Sequence, residues 1–572
     1  MGGSGPAPVL VGLVELRVLE GPNVYFPRPA VKLTLEIPGW LRATTERLER
    51  LACSLGMPAS TRAGDQRTDQ RRRFAARVGA HVARAVAAAT GTRLAVRGRA
   101  GAEPDQIVIA FPWRRRGTAE ALAQEVSRVM LDLLATRRQP ARLIVGAAAR
   151  VDTADAGLPP SVPGPSIPVV AVTGTNGKTT TVRLLAHLVG AAGLSVAYCS
   201  TDGVYHDGRL VEGGDYSGYG GAAMALSQPG VDAVVLETAR GGILLRGIGT
   251  AHNDVAVVTN ISSDHLGLHG VHTLDQLAEV KAAITRITRP EGWVVLNADD
   301  PRVLAMRRGA TGRPFLCSLD PHHPAIRDAL ADGGRAATVL DGALVVLGPG
   351  SRVERLLRLE DVPVTLAGIA THHVRNAMAA TGAAFGIGLP KDAVIRGLAS
   401  FVQTPETNPG RANVYTLQGR TLVVDYAHNE EGIVGLTEIL AGLRRRGASI
   451  WLAFCAAGDR QDDALHAIGY RAARGAEHVV VAGLPNYLRG RDPEDLVDRL
   501  LAGAEDGGAT EVLTAPDELH ALALMLERSG RADVIGVTAL GQRPEVFARL
   551  DELGAARADP ATVRALVRRA RR

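Results

Sequence analysis

The sequence predicts an α/β protein: a central domain on a parallel sheet, a Rossmann-like C-terminal domain, and a small α+β domain in front of both. Three observations predict it. Strand-like and helix-like patterns alternate from residue 169 onward, as helices covering both faces of a parallel sheet require. Two stretches rich in turn formers, 151–168 ("VDTADAGLPPSVPGPSIP") and 404–415 ("TPETNPGRANVY"), interrupt the patterns. At 572 residues the chain exceeds what one core supports. The expected division is 1–150, a linker 151–168, 169–408 and 409–572.

Composition narrows the class. Apolar residues make up 46% and charged residues 22%, and the formal charge of +6 is small for this length. Neither nucleic acid nor membrane is implied as a partner, and the expected location is cytoplasmic. Cys53, Cys199, Cys317 and Cys455 show no C-x-x-C spacing, so they read as small core residues, not zinc ligands or disulfides.

In the first domain, "LVELRVLEG", "AVKLTLEI", "RLAVRGRA" and "QIVIAFPW" read as strands, with helices around 43–55, 71–89 and 118–136. The arginine-rich segment 61–86 reads as a solvated helix face. In the central domain the strands are "PVVAVTG", "LSVAYCST", "DAVVLETA", "DVAVVTNIS" and "GWVVLNADD". In the last they are "TLVVDYAHN", "ASIWLAFCAAGD", "EHVVVAGLP" and "ADVIGVTAL".

The strongest motif is "AVTGTNGKTTT", residues 171–181, where a buried strand meets a glycine-rich turn and a helix start. This is a P-loop: backbone N–H groups and a helix N-terminus converge on one anion. Gly174 and Gly177 permit the turn, Thr175 and Asn176 lie within it, and Lys178 supplies a charge. Thr179 offers a hydroxyl to phosphate-bound Mg²⁺, followed by Thr180. Val172 stands where the general G-x-x-x-x-G-K-T spacing has glycine, so the loop is a shortened variant. Ligands of open α/β sheets bind at the C-terminal ends of strands, which singles out Glu237, Asn260, Asp264 and His265. A carboxylate and an imidazole beside a phosphate loop can hold Mg²⁺ directly or through water.

These residues carry a resemblance. "TGTNGKTTT", "LETARGGIL", "VTNISSDHLG", "VKAAI" and "LNADDPRV" resemble the central domain of the Mur ligases, which use ATP to join a carboxylate to an amine. "TDGVYHDGRLVEGGDYSG" and "NISSDHLGLHGVHTLDQLAEVKAAI" are similar to the ligase half of cyanophycin synthetases. "VLEGPNVYFPRPAVKLTLEI" is similar to their opening domain, which implies for segment 61–86 the alternative of a basic face for an acidic chain or carrier. The resemblance implies ATP and Mg²⁺ as cofactors, with Lys178 and Thr179 on the phosphates and metal, and Glu237 and His265 as further metal-site residues. It implies a carbamylated Lys281 bridging to a second Mg²⁺, Asn297 near adenine, and Asn376 between the central and last domains. Arg411 would reach the phosphates and Asp425 the ribose, with His428 beside it.

Two departures bear on substrate. Cyanophycin synthetases carry an ATP-grasp domain where this chain has the 151–168 linker, so one ligation chemistry is expected. "AGLPNYLRGR" lacks the acidic stretch expected before "LRGR", which puts arginine as the amine in doubt. Arg489 and Arg491 could instead meet an anion. The expected function is an ATP-dependent acid–amino acid or acid–amine ligase. Its partners would be a small amino acid or amine and a carboxylate, peptide or poly-amino acid acceptor, with homo-oligomerisation left open. One alternative is side-chain addition to a polyaspartate-like backbone. Another, of a different class, is a non-catalytic nucleotide-binding scaffold.

Overall fold

The structure is a computed structural model that describes residues 9–264, 266–350 and 352–572. Three sheets organise it. The first has four antiparallel strands in the spatial order Gly12–Leu19, Ala30–Glu36, Gln106–Pro112, Arg97–Ala100. Strand alternation gives its two faces different tasks. Val31, Leu33, Ile109 and Phe111 enter a core with Trp40, Phe74 and Met130, built with helices Thr45–Ser54, Asp69–Ala89 and Arg116–Ala135. Ala30, Val108 and Ala110 share another core with Ile248, Ile284 and Leu296 of the central body.

That second face makes the N-terminal sheet part of the scaffold around the central body. Gly21 N and Glu20 N both donate to Arg246 O (3.1 and 2.8 Å), and Ile248 N donates to Pro22 O at 2.7 Å. A Cβ on Gly21 would lie 1.8 Å from Ile248 O, so only glycine permits this approach. Gly21→Val is therefore expected to destabilise by about 1–3 kcal/mol, the usual cost of forcing an overpacked contact. Calorimetry should show the N-terminal transition separating from the main one; an unchanged single transition would contradict it.

Three sequence expectations change here. "RLAVRGRA" forms a strand only over Arg97–Ala100, where Gly98 crosses helix Asp69–Ala89 so closely that a Cβ would sit 2.2 Å from Ala76 O. A further helix, Pro140–Asp152, packs Leu143, Ala147 and Val151 onto the first core. Cys53 is exposed, while Cys199, Cys317 and Cys455 are buried as expected.

The central sheet has eleven strands. Its middle is parallel, in the order Arg335–Leu340, Arg313–Ser318, Thr288–Asn297, Asn253–Val258, Val169–Thr173, Ala233–Glu237, Val196–Ser200. Antiparallel strands extend both edges, Gly203–His206 and Arg209–Gly213 on one, Ala343–Gly348 and Arg352–Arg358 on the other, so the sheet is mixed and not wholly parallel. Register does the positioning. Val172 pairs with Glu237 and Val258 with both Thr173 and Leu296, so the phosphate loop, Glu237, Thr259 and Asn297 emerge side by side at one sheet edge.

The last sheet has seven strands, five of them parallel: Glu511–Ala515, His478–Ala482, Ile450–Phe454, Val534–Thr538 and Arg420–Asp425. Antiparallel Asn413–Leu417 and Ala556–Arg557 complete its other edge. Among the described residues no helix is long and apolar enough to cross a membrane.

Candidate active site

The phosphate loop runs from Gly174 to Gly177 and opens helix Lys178–Ala191. Gly177 is left-handed (φ 83°), and a Cβ there would lie 2.2 Å from Asn376 Oδ1. Gly174 is equally confined, since a Cβ would meet Thr259 Oγ1 at 1.8 Å. Neighbouring strand ends hold the loop open. Asn260 Oδ1 accepts from Asn176 N (2.9 Å) and Thr175 N (3.2 Å), and Thr259 Oγ1 donates to Asn176 O at 2.6 Å.

Two lysines and one carboxylate meet under this loop. Lys178 Nζ donates to Thr175 O at 2.8 Å, and Lys281 Nζ to Gly174 O at 2.5 Å. Lys281, at the end of helix Leu274–Lys281, is 3% exposed; burial and the nearby Lys178 charge hold its amine well below the ordinary lysine range. Glu237 is 1% exposed. Its Oε2 accepts from Thr179 Oγ1 at 2.9 Å, while Oε1 is buried with no hydrogen-bond partner. Burial pushes this carboxyl up, although Lys178, Thr179 and Arg411 pull it down.

An orphaned carboxylate oxygen beside a threonine hydroxyl fits a divalent cation that takes its other ligands from phosphate and water, the usual habit of Mg²⁺. Among the described residues no group of three or more His, Cys, Asp or Glu stands ready to hold a metal by itself. His265 lies outside the described residues.

The remaining expected residues line the same cleft, of about 640 Å³. Asn297 donates to Thr259 O at 2.9 Å, and buried Asn376 bonds His373 Nδ1 at 3.3 Å. Across the cleft, Arg411 stacks 4.4 Å from the Tyr426 ring centroid, Asp425 Oδ2 accepts from Ala412 N at 2.7 Å, and His428 faces Asp264 at 3.8 Å. Gly174 and Lys281 sit beneath the cleft wall and support it.

The C-terminal body is closed onto the central one. Asn429, the N-cap of helix Glu430–Leu443, exchanges amide hydrogen bonds with Asn176 of the phosphate loop (2.9 and 3.3 Å). Arg460 donates to Asp264 at 2.5 Å, and Arg543 pairs with Asp202 at 2.7 Å. Sequence reasoning missed Asn429, Arg460, Asp202 and Arg543. Asn429 had a signal, since Asn before two glutamates marks a helix start, but that signal speaks only of capping. Cross-body pairing leaves no trace in local pattern.

The two arginines considered for anion binding differ. Arg491 is consumed internally by Asp462, Asp495 and the carbonyls of Gly458 and Arg460. Arg489 pairs with Asp459 yet still lines the cleft. Within the arginine-rich segment, Arg71 is fully buried and donates to Trp40, Ala43, Ala63 and Gly64 carbonyls. Arg73 and Arg77 instead line an open groove of about 560 Å³ together with Arg99.

Residues 172–384 match the Mur ligase middle domain, and 410–541 match the Mur ligase glutamate ligase domain. The chain is 38% identical over 365 residues to a cyanophycin synthetase of Synechocystis sp., covering 63% of this chain and 41% of the relative. It therefore spans about two fifths of that relative's length. It is 27% identical to the UDP-N-acetylmuramoyl-L-alanyl-D-glutamate–2,6-diaminopimelate ligase of Chlorobaculum tepidum, covering 65% of this chain and 71% of the relative. Among solved structures, E. coli FolC in complex with DHPP and ADP superposes with a TM-score of 0.50 at 19% identity, over 68% of this chain and 90% of that one. At that identity the likeness speaks for the fold.

Proposed function

We propose that this chain, which belongs to the Mur ligase family, is an ATP-dependent ligase that activates a carboxylate as its acyl phosphate and joins it to an amino acid or amine. The observation that carries the reading is the orphaned Glu237 Oε1 beside Thr179, under a phosphate loop and opposite Arg411.

In this reading the substrate carboxylate attacks the γ-phosphorus in line and ADP leaves. Lys178 and Arg411 neutralise charge spreading over the transferred oxygens. Thr179 and Glu237 would hold the Mg²⁺ that accompanies ATP, which would supply further neutralisation. Asn297 would face the adenine and Asp425 the ribose, while Asn376 lies against Gly177 of the phosphate loop. The amine then attacks the acyl carbon, phosphate departs, and the amine nitrogen loses a proton. Contacts from Asn429 and Arg460 keep the cleft closed, which matters because water would hydrolyse the acyl phosphate.

A second reading concerns the acceptor. Arg73 and Arg77 face a groove that also holds Asp69 and an Arg99 paired with Glu279 at 3.3 Å, and their charge favours an acidic peptide or polyaspartate-like chain over a small free acid. Both readings are tested by phosphate release with Mg²⁺-ATP across a matrix of carboxylates, including aspartate peptides of increasing length, and single amino acids. Release requiring both an acid and an amine, with an amide product by mass spectrometry, is the expected result. Turnover that rises with acidic peptide length would support the second reading. ATP binding without release in any combination would favour a nucleotide-binding scaffold.

A further inference from the structure

Arg543 opens helix Arg543–Glu552, which follows the central strand Val534–Thr538 of the C-terminal sheet, and its side chain reaches Asp202 of the central body. Its Nη2 donates to Asp202 Oδ1 at 2.7 Å and its Nη1 to Pro409 O at 3.3 Å. The guanidinium lies 5.5 Å from the Tyr426 ring centroid, the same ring on which Arg411 stacks at 4.4 Å. Gly410 is left-handed (φ 65°), and a Cβ there would fall 2.8 Å from Arg543 Cδ. The side chain therefore lies along the Pro409–Gly410–Arg411 segment as well as against Tyr426.

Its partner is placed just as specifically. Asp202 follows Thr201, whose Oγ1 is 3.1 Å from Thr179 Oγ1 and whose N–H reaches Glu237 Oε2 at 3.4 Å. Asp202 is also held from its own body by Arg183, at 3.2 Å, and Arg183 donates to Thr407 O at 3.0 Å. Burial works against its ionisation, but Arg411, Arg543 and Arg183 together hold the carboxyl below the usual range.

We propose that Arg543 is a positioning residue that sets Arg411 against the transferred phosphoryl group when the C-terminal body closes, with Asp202 as its anchor beside Thr179 and Glu237. The inference rests on the ligase reading above. Loss of Arg543 leaves Asp202 still paired with Arg183, so the fold survives while the aim of Arg411 is lost.

The test uses Mg²⁺-ADP with aluminium fluoride, a mimic of the phosphoryl group in flight, and calorimetric binding to the full chain. Wild type should bind ADP more tightly when aluminium fluoride is present. Arg543→Gln should keep its ADP affinity within about threefold but lose about tenfold or more of that gain, and Arg543→Lys should recover part of it. Asp202→Asn should lose a similar amount, and the double variant no more than either single one. Full gain in Arg543→Gln, or losses that simply add, would overturn the inference alone. No gain in wild type would overturn the phosphoryl-transfer reading, and this inference with it.

Discussion

Glu237→Gln is expected to lower turnover by about a thousandfold, equivalent to about 4 kcal/mol of transition-state stabilisation. Glutamine keeps the shape and can still meet Thr179 Oγ1, now 2.9 Å from Oε2, but it removes the anionic oxygen that the proposed cation would need. The same change should stabilise the nucleotide-free protein. Glu237 is almost wholly buried, its Oε1 has no partner, and burial raises its carboxyl above the usual range. The folded state therefore binds a proton that the unfolded chain has already released, and stability falls as pH rises through the elevated folded value. Glutamine removes that dependence. Thermal melts from acid to neutral pH should show wild type losing stability relative to the variant, while ATP with Mg²⁺ stabilises only wild type strongly. A variant less stable than wild type at neutral pH, or with comparable turnover, would mean that Glu237 is a structural cap.

That opposition between stability and chemistry explains what could be read in the sequence. The phosphate loop was legible because its physics is local: strand, glycines, Lys178 and Thr179 are contiguous, and the parallel register then brings Glu237 and Asn297 to the same edge. The outermost antiparallel strands of the central sheet were not, because "RLVEG" and "RVERLLR" lie largely exposed at its edges and lack a clean apolar run. Arg71 misled in the other direction. It sits in an arginine-rich run that reads as solvated, yet the carbonyls of Trp40 and Ala43 at the end of helix Pro38–Arg42, with those of Ala63 and Gly64, satisfy it in the core. Nor could sequence pair Arg543 with Asp202 or Arg460 with Asp264, since each pair joins two bodies and, although Asp264 stands out at a strand end, nothing local marks its partner.

Lys281→Ala is expected to lower turnover by about a hundredfold or more, and the loss should be partly restored by added small carboxylates. Lys281 is 3% exposed, at 2.5 Å from Gly174 O, in a pocket that already contains Lys178. A second ammonium there would repel the first and lack solvation, so burial and Lys178 favour the neutral amine. A neutral amine can add to CO₂, releasing one proton and giving a carbamate. That reaction replaces a potential positive charge under the phosphate loop with a negative one, as the divalent cation proposed beside Glu237 would favour. Wild type stripped of CO₂ should therefore lose activity and regain it with bicarbonate, while ¹³CO₂ should give a carbamate resonance that Lys281→Met lacks. Stability gives an independent check on the unmodified amine. Because the folded value is depressed, the unfolded chain binds the extra proton, so stability falls as pH drops from the ordinary lysine range toward the folded value. Lys281→Met should flatten that slope in CO₂-free buffer. If activity ignores CO₂ and the slope is the same in both proteins, Lys281 is a charged scaffold for the Gly174 carbonyl and the carbamate assignment fails.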